Sequence, residues 1–116
     1  MRKIGFKHAL RGIYKAIELE FNMKIHIVSM LVVIFTGIWL KIEPIEWLFI
    51  ILAIAVVLIA ETLNTAIENI TDVLFKERDE QARNIKDISS GAVLLASIFA
   101  AIVGVIIFVP KVITFF

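Results

Sequence analysis

Three apolar stretches decide what solvent this chain folds in. Residues 47–60 carry no polar side chain, residues 25–40 are broken only by His26, Ser29 and Thr36, and residues 88–109 carry no charge. A helix crossing the ~30 Å hydrocarbon core needs about 20 such residues. The first two stretches are short of that and borrow from their flanks. The sequence therefore predicts spans at about 25–41, 46–74 and 87–109. A soluble domain of 116 residues cannot bury a composition that is 60% hydrophobic, because small domains have too much surface for their volume. Lipid has to cover part of it. The length fits one domain, residues 1–116.

The remaining composition works by exclusion. With no cysteine there are no disulfides, thiolate nucleophiles or cysteine-based zinc sites, and a net charge of +1 gives no electrostatic footprint for nucleic acid. The first apolar run lies behind a charged stretch, with no small-x-small cleavage site before it, so it does not read as a signal peptide. In residues 1–23, Phe6, Leu10, Ile13, Ile17 and Phe21 recur every three or four positions, with Lys3, Lys7, Arg11, Lys15 and Glu18 on the other face. Such a basic amphipathic helix lies in the membrane interface. Trp39 and Trp47 bracket a polar turn at 41–46, as aromatic anchors do at a membrane surface.

Helical periodicity does not stop where the second apolar run does. Residues 61–75 hold no Gly or Pro, so one helix over 45–75 would be about 46 Å long at ~1.5 Å per residue and would project beyond the hydrocarbon. Residues 76–87 read as a charged loop, with Asp87 capping the third span and Pro110 ending it. Ala92, Ala96, Ala100 and Gly104 form a small-residue stripe that allows close helix packing. Of 12 basic residues, Arg2, Lys3, Lys7, Arg11, Lys15 and Lys24 precede the first span, and Lys76, Arg78, Arg83 and Lys86 follow the second. The positive-inside bias places both segments in the cytoplasm and the C-terminus outside. The expected fold class is an all-α membrane protein, a surface helix plus three transmembrane helices, in the plasma membrane.

The chemistry concentrates in Glu61-x-x-Asn64-x-x-x-Glu68-x-x-x-Asp72. At ~100° per residue these four side chains fall on one helical stripe within about 80°. Glu61 is expected inside the hydrocarbon near its cytoplasmic side, with Glu68 and Asp72 at or beyond the interface. An acid at that depth is costly and is usually paired or functional. Several carboxylates on one face call for a cation, and Mg²⁺ prefers oxygen ligands. Glu20 or Glu18 could reach the same place from the surface helix, though Glu18 sits on its solvated stripe. Lys86 stands at the mouth of the third helix, where a lysine can hold phosphate. No Walker A or G-x-G-x-x-G motif occurs, so a nucleotide would be held by metal and side chains.

The stripe Glu61-x-x-Asn64-x-Ala66-Ile67-Glu68-x-x-x-Asp72, followed by Lys86-Asp87 and Ser89-Ser90-Gly91-Ala92, resembles the signature of the prokaryotic diacylglycerol kinase family. Glu20-Phe-Asn22-Met-Lys-Ile-His26 and Gly104-Val-Ile-Ile-Phe-Val-Pro110-Lys111 resemble its Gram-positive branch, whose members mainly phosphorylate undecaprenol. The resemblance implies a lipid kinase using MgATP, with Glu61 as general base and Glu20 and Glu68 as metal ligands. Asn64, Asp72, Lys86 and Asp87 would complete the site, with Glu77, Arg78 and Asp79 from the following loop and a weaker carry-over to His8. It also implies a homotrimer with shared active sites. Diacylglycerol stays open as the acceptor, since Ile, Val and Leu do not distinguish an isoprenoid from acyl chains. A small transporter or ion-binding bundle is the more distant reading, and it would usually break a helix at mid-membrane.

Overall fold

The computed structural model describes residues 3–77 and 79–116, and of Lys3 and Ile4 the backbone alone. Arg2 and Arg78 lie outside the described residues. Four helices follow in order: α1 Lys3–Leu19, α2 Phe21–Leu40, α3 Pro44–Leu74 and α4 Glu80–Phe115. No strand occurs among the described residues. Helices α2, α3 and α4 are each long and apolar enough to cross a membrane.

Each break has a local cause. Glu20 alone separates α1 from α2, in extended conformation. At the other end of α2, Lys41 takes a left-handed φ of 54°, and the Ile42 and Lys41 amides close onto the Gly37 and Ile38 carbonyls in a Schellman-type stop. The turn is shorter than expected, because Pro44 already occupies the first turn of α3. Proline is suited to that position, where its missing N–H has no helical partner anyway. Glu46 reaches back to the Glu43 amide at 2.8 Å, one arm of a capping box. Helix α3 then runs 31 residues without interruption, about 46 Å.

Both ends of the third span differ from expectation. The stretch 76–87 is a loop only to Asp79, whose carboxylate accepts hydrogen bonds from the Gln81 and Ala82 amides at 2.8 and 3.3 Å. That N-cap starts α4 at Glu80. Asp87 is therefore an interior residue, 4.0 Å from Arg83 one turn back, and it caps nothing. Nor does Pro110 end the helix, which continues to Phe115. Proline removes one hydrogen bond, and in spanning helices that loss is commonly tolerated.

Helix α3 packs chiefly on α4. The buried positions on α4 are Ala82, Ser89, Ala96, Val103 and Ile107, and on α3 they include Ile50, Ala53, Val57, Glu61, Asn64 and Thr71. Both series advance by about seven residues per two turns, the pattern of near-antiparallel helices with interdigitating side chains. The expected small-residue stripe is part of this face: Ala96 is buried and Ala100 and Gly104 half-buried, whereas Ala92 is exposed. The apolar core, built on Ile42, Ile50, Ala53, Val103 and Ile107, sits toward the Lys41 end. There Gly37 lets the Trp47 ring approach so closely that a Cβ would lie 2.8 Å from it. Lys111 pairs with Glu46 at 3.2 Å, and Trp39 packs on Phe115.

Helix α1 packs on α2 and α3 through a narrow face, with Ala16 buried, and leaves Phe6, Leu10 and Ile13 exposed. A second, lipid-facing apolar stripe is what an interfacial helix presents.

Candidate active site

The buried face of α3 changes character along its length. Ile50, Ala53 and Val57 are succeeded, at the same helical angle, by Glu61 and Asn64. Because the face was already turned inward to fill the apolar core, the acids inherit a protein-facing orientation. Glu61 is 1% exposed. Its Oε2 lies 3.4 Å from His26 Nε2 on α2, and its Oε1 has no hydrogen-bond partner. A buried carboxylate oxygen without a donor is costly and rare.

One turn on, Asn64 is held from both sides. It donates through Nδ2 to Glu68 Oε1 at 2.8 Å, and its Oδ1 accepts from Ser89 Oγ on α4 at 2.7 Å. The second bond fixes the amide so that its donors point toward Glu68. Past the end of this network Asp72 pairs with Lys86 of α4, tying the two helices together where they leave the apolar zone. Beyond lies an open polar cleft of about 1,100 Å³ between the end of α3 and the start of α4, lined among others by Asp72, Glu77, Asp79, Arg83, Lys86 and Asp87.

Glu20, in the break between α1 and α2, closes the arrangement from a third element. Its carboxyl is raised above the ordinary glutamate range, first by partial burial and then by the negative charge of Glu68, Glu61 and Asp72. Four acids thus share one field, and the charged form of Glu20 is disfavoured until a cation arrives. Among the described residues no three Asp, Glu or His side chains stand close enough to enclose a metal by themselves. The donor set suits Mg²⁺ nonetheless. That ion is usually held by one or two carboxylates, with phosphate oxygens and water completing its octahedron.

The structure therefore gathers Glu20, Glu61, Asn64, Glu68, Asp72 and Lys86, while Glu77, Asp79 and Asp87 line the adjoining cleft. Asp79 has its Oδ1 committed to the helix cap. Glu18 turns to Lys15 at the surface, 3.9 Å away, and His8 is exposed on α1. Two residues escaped the sequence reading. Ser89 appears in the sequence only within the run Ser89-Ser90-Gly91-Ala92, with no role of its own, and His26 only as a polar break in the first span and within a branch-like motif. Ser89 lies seven residues from Ala82 and from Ala96, which marks it as inward-facing opposite the polar part of α3. His26 is marked only by closing the Glu20-Phe-Asn22-Met-Lys-Ile-His26 motif, which gives it no partner.

The model of the family described as prokaryotic diacylglycerol kinase matches residues 7–108. The chain is 35% identical over 107 residues to the undecaprenol kinase of Bacillus subtilis, covering 92% of this chain and 87% of that protein. It is also 35% identical over 108 residues to the diacylglycerol kinase of Synechocystis, covering 92% of this chain and 62% of that one. Against the diacylglycerol kinase of Escherichia coli K12 the identity is 36% over 75 residues, 65% of this chain and 62% of the relative.

Proposed function

The chain belongs to the prokaryotic diacylglycerol kinase family and is an ATP-dependent lipid kinase, and on that premise we propose that it transfers the γ-phosphate of MgATP to the hydroxyl of undecaprenol. The observation that carries the reading is Glu61: a buried carboxylate with one unpartnered oxygen, on the same helical face that leads through Asn64 and Glu68 to an open polar cleft. Undecaprenol is preferred to diacylglycerol because the relative named for it shares similarity over most of both chains.

In this reading the lipid hydroxyl meets Glu61 at the membrane boundary. Glu61 Oε1 accepts its proton as the hydroxyl oxygen attacks the γ-phosphorus, the bond from that phosphorus to the β-bridging oxygen breaks, and ADP leaves with the electron pair. Phosphoryl transfer asks a protein mostly for positioning and charge neutralisation. Glu20 and Glu68 would hold the metal, which supplies neutralisation of the phosphate charge. Asn64 keeps Glu68 oriented. Lys86, already poised at the cleft on Asp72, would hold phosphate, and Asp72, Glu77, Arg78, Asp79 and Asp87 would complete the nucleotide site. The reading includes a homotrimer, in which a neighbouring copy covers exposed apolar helix faces and shares in the site, and a plasma-membrane location with the acidic end in the cytoplasm.

Purified protein in lipid should pass label from MgATP to undecaprenol and, more slowly, to diacylglycerol. Transfer to neither lipid would end the kinase reading, and a strong preference for diacylglycerol would overturn only the acceptor. Topology is tested separately, in a chain with no native cysteine. Cysteine at Glu43, in the turn between α2 and α3, should react with an impermeant thiol reagent added to intact cells, while cysteine at Glu80 should not. The opposite labelling would put the acids on the side without ATP.

A further inference from the structure

Between α2, α3 and α4 lies a cavity of about 390 Å³ whose walls are almost entirely apolar, among them Met30, Val33, Ile54, Leu58 and Phe108. His26 is one of its few polar linings. The same ring presents Nε2 at 3.4 Å from Glu61 Oε2, while Glu61 Oε1 is buried with no donor. The two oxygens of one carboxylate are therefore inequivalent, and the element that makes them so is α2, which the acidic stripe of α3 does not include. We propose that His26 is a positioning residue. At 3.4 Å the contact is longer than a formed hydrogen bond; as substrate closes the site the ring's Nε2–H takes Oε2 as acceptor and holds the carboxylate plane so that Oε1 alone faces the incoming hydroxyl. The proposal rests on the kinase reading and assigns within it what fixes the base.

The groups around this pair leave no other candidate for the task among the described residues. Glu20, Glu68 and Asp72 are carboxyl groups with no N–H to offer, and Lys86 is engaged by Asp72. Asn64 gives an amide N–H to Glu68, accepts from Ser89 on its oxygen, and makes no hydrogen bond to the Glu61 carboxylate. Thr65 donates to the Glu61 backbone carbonyl, not to its carboxylate. Among the described residues, His26 is the side chain whose nitrogen is paired with the Glu61 carboxylate. Its place on the wall of the apolar cavity sets the ring beside the space in which the first carbons of a lipid chain would lie, so the donor stays dry when substrate is bound. A donor to a charged acceptor is worth more in such surroundings than in water.

Three proteins settle it: wild type, H26L and H26Q, each assayed with undecaprenol and MgATP in the same lipid. Glutamine retains an N–H at roughly the position of Nε2, and leucine fills the volume without a donor. H26L should lose roughly 10–100-fold in kcat, the worth of one hydrogen bond to a charged group, with KM for MgATP within about 2-fold. H26Q should recover most of that loss. An H26L enzyme at wild-type kcat overturns the assignment, as does H26Q falling as far as H26L, which would make the ring's shape the cause. Loss confined to KM for MgATP overturns it as well. An inactive wild type would defeat the kinase reading and the assignment together, whereas an active wild type with unaffected H26L would defeat only the latter.

Discussion

Glu61→Gln should lower kcat by roughly 10²–10⁴-fold, the usual contribution of a general base, while leaving MgATP binding close to wild type. The amide has the shape of the carboxylate and can still face His26, so the packing around position 61 is unchanged. A neutral amide in a site that is 1% exposed needs no counter-charge, so the change should not cost stability. What disappears is the capacity of Oε1 to take a proton. Single-turnover phosphorylation of the lipid and, separately, nucleotide binding measure the two halves of this expectation. If Glu61→Gln lost nucleotide binding and kept its chemistry once nucleotide was forced on, the base would have to be sought elsewhere.

Glu68→Gln should fail differently. Glu68 lies two turns further along α3, about 10.5 Å at ~1.5 Å per residue, too far for both acids to act on one atom. Its Oε1 accepts from Asn64 Nδ2, and the carbonyl of glutamine can accept that bond equally well. The variant therefore isolates the charge. Changes that merely perturb the surroundings of metal ligands cost about 10–100-fold in affinity, and loss of a charged ligand should cost at least as much. MgATP binding should weaken to that extent, and residual activity should need far more Mg²⁺. A titration of activity against Mg²⁺ reads this directly. Unchanged Mg²⁺ dependence would remove Glu68 from the metal site and leave it as Asn64's acceptor.

The contrast between these two residues was legible in the sequence because it depends on one helix. A run of 61–75 without Gly or Pro fixed the rise and the angular spacing, and apolar residues before it fixed which face turns inward. Relations within α3 follow from periodicity alone. The start of α4 was obscured because hydropathy marks where a span enters lipid, not where a helix begins. Asp79, followed by residues 80–87 without Gly or Pro, was the available cue. Pro110 misled by the opposite route, since its cost is local and a long helix held at Lys111 and Phe115 absorbs it. Contacts between helices were the least legible. Ser89 with Asn64, Lys86 with Asp72 and His26 with Glu61 each depend on rotation of one helix about its axis relative to another, which a single sequence constrains weakly.

The predominance of the α3–α4 contact bears on how the molecule comes together. A short connection joins two long helices that meet along much of their length, so their pairing can begin beside it at a small loop-closure cost. Asn64, Glu68, Asp72, Lys86 and Ser89 all belong to that hairpin, and their mutual bonds need nothing from the first 40 residues. That part of the candidate site is thereby held within one hairpin. Glu61 has His26 beside it, and Glu68 the Glu20 carboxyl in its field, only where the amino-terminal pair is docked. On the proposed roles, a chain whose amino-terminal pair is undocked would keep its polar hairpin without the power to transfer phosphate.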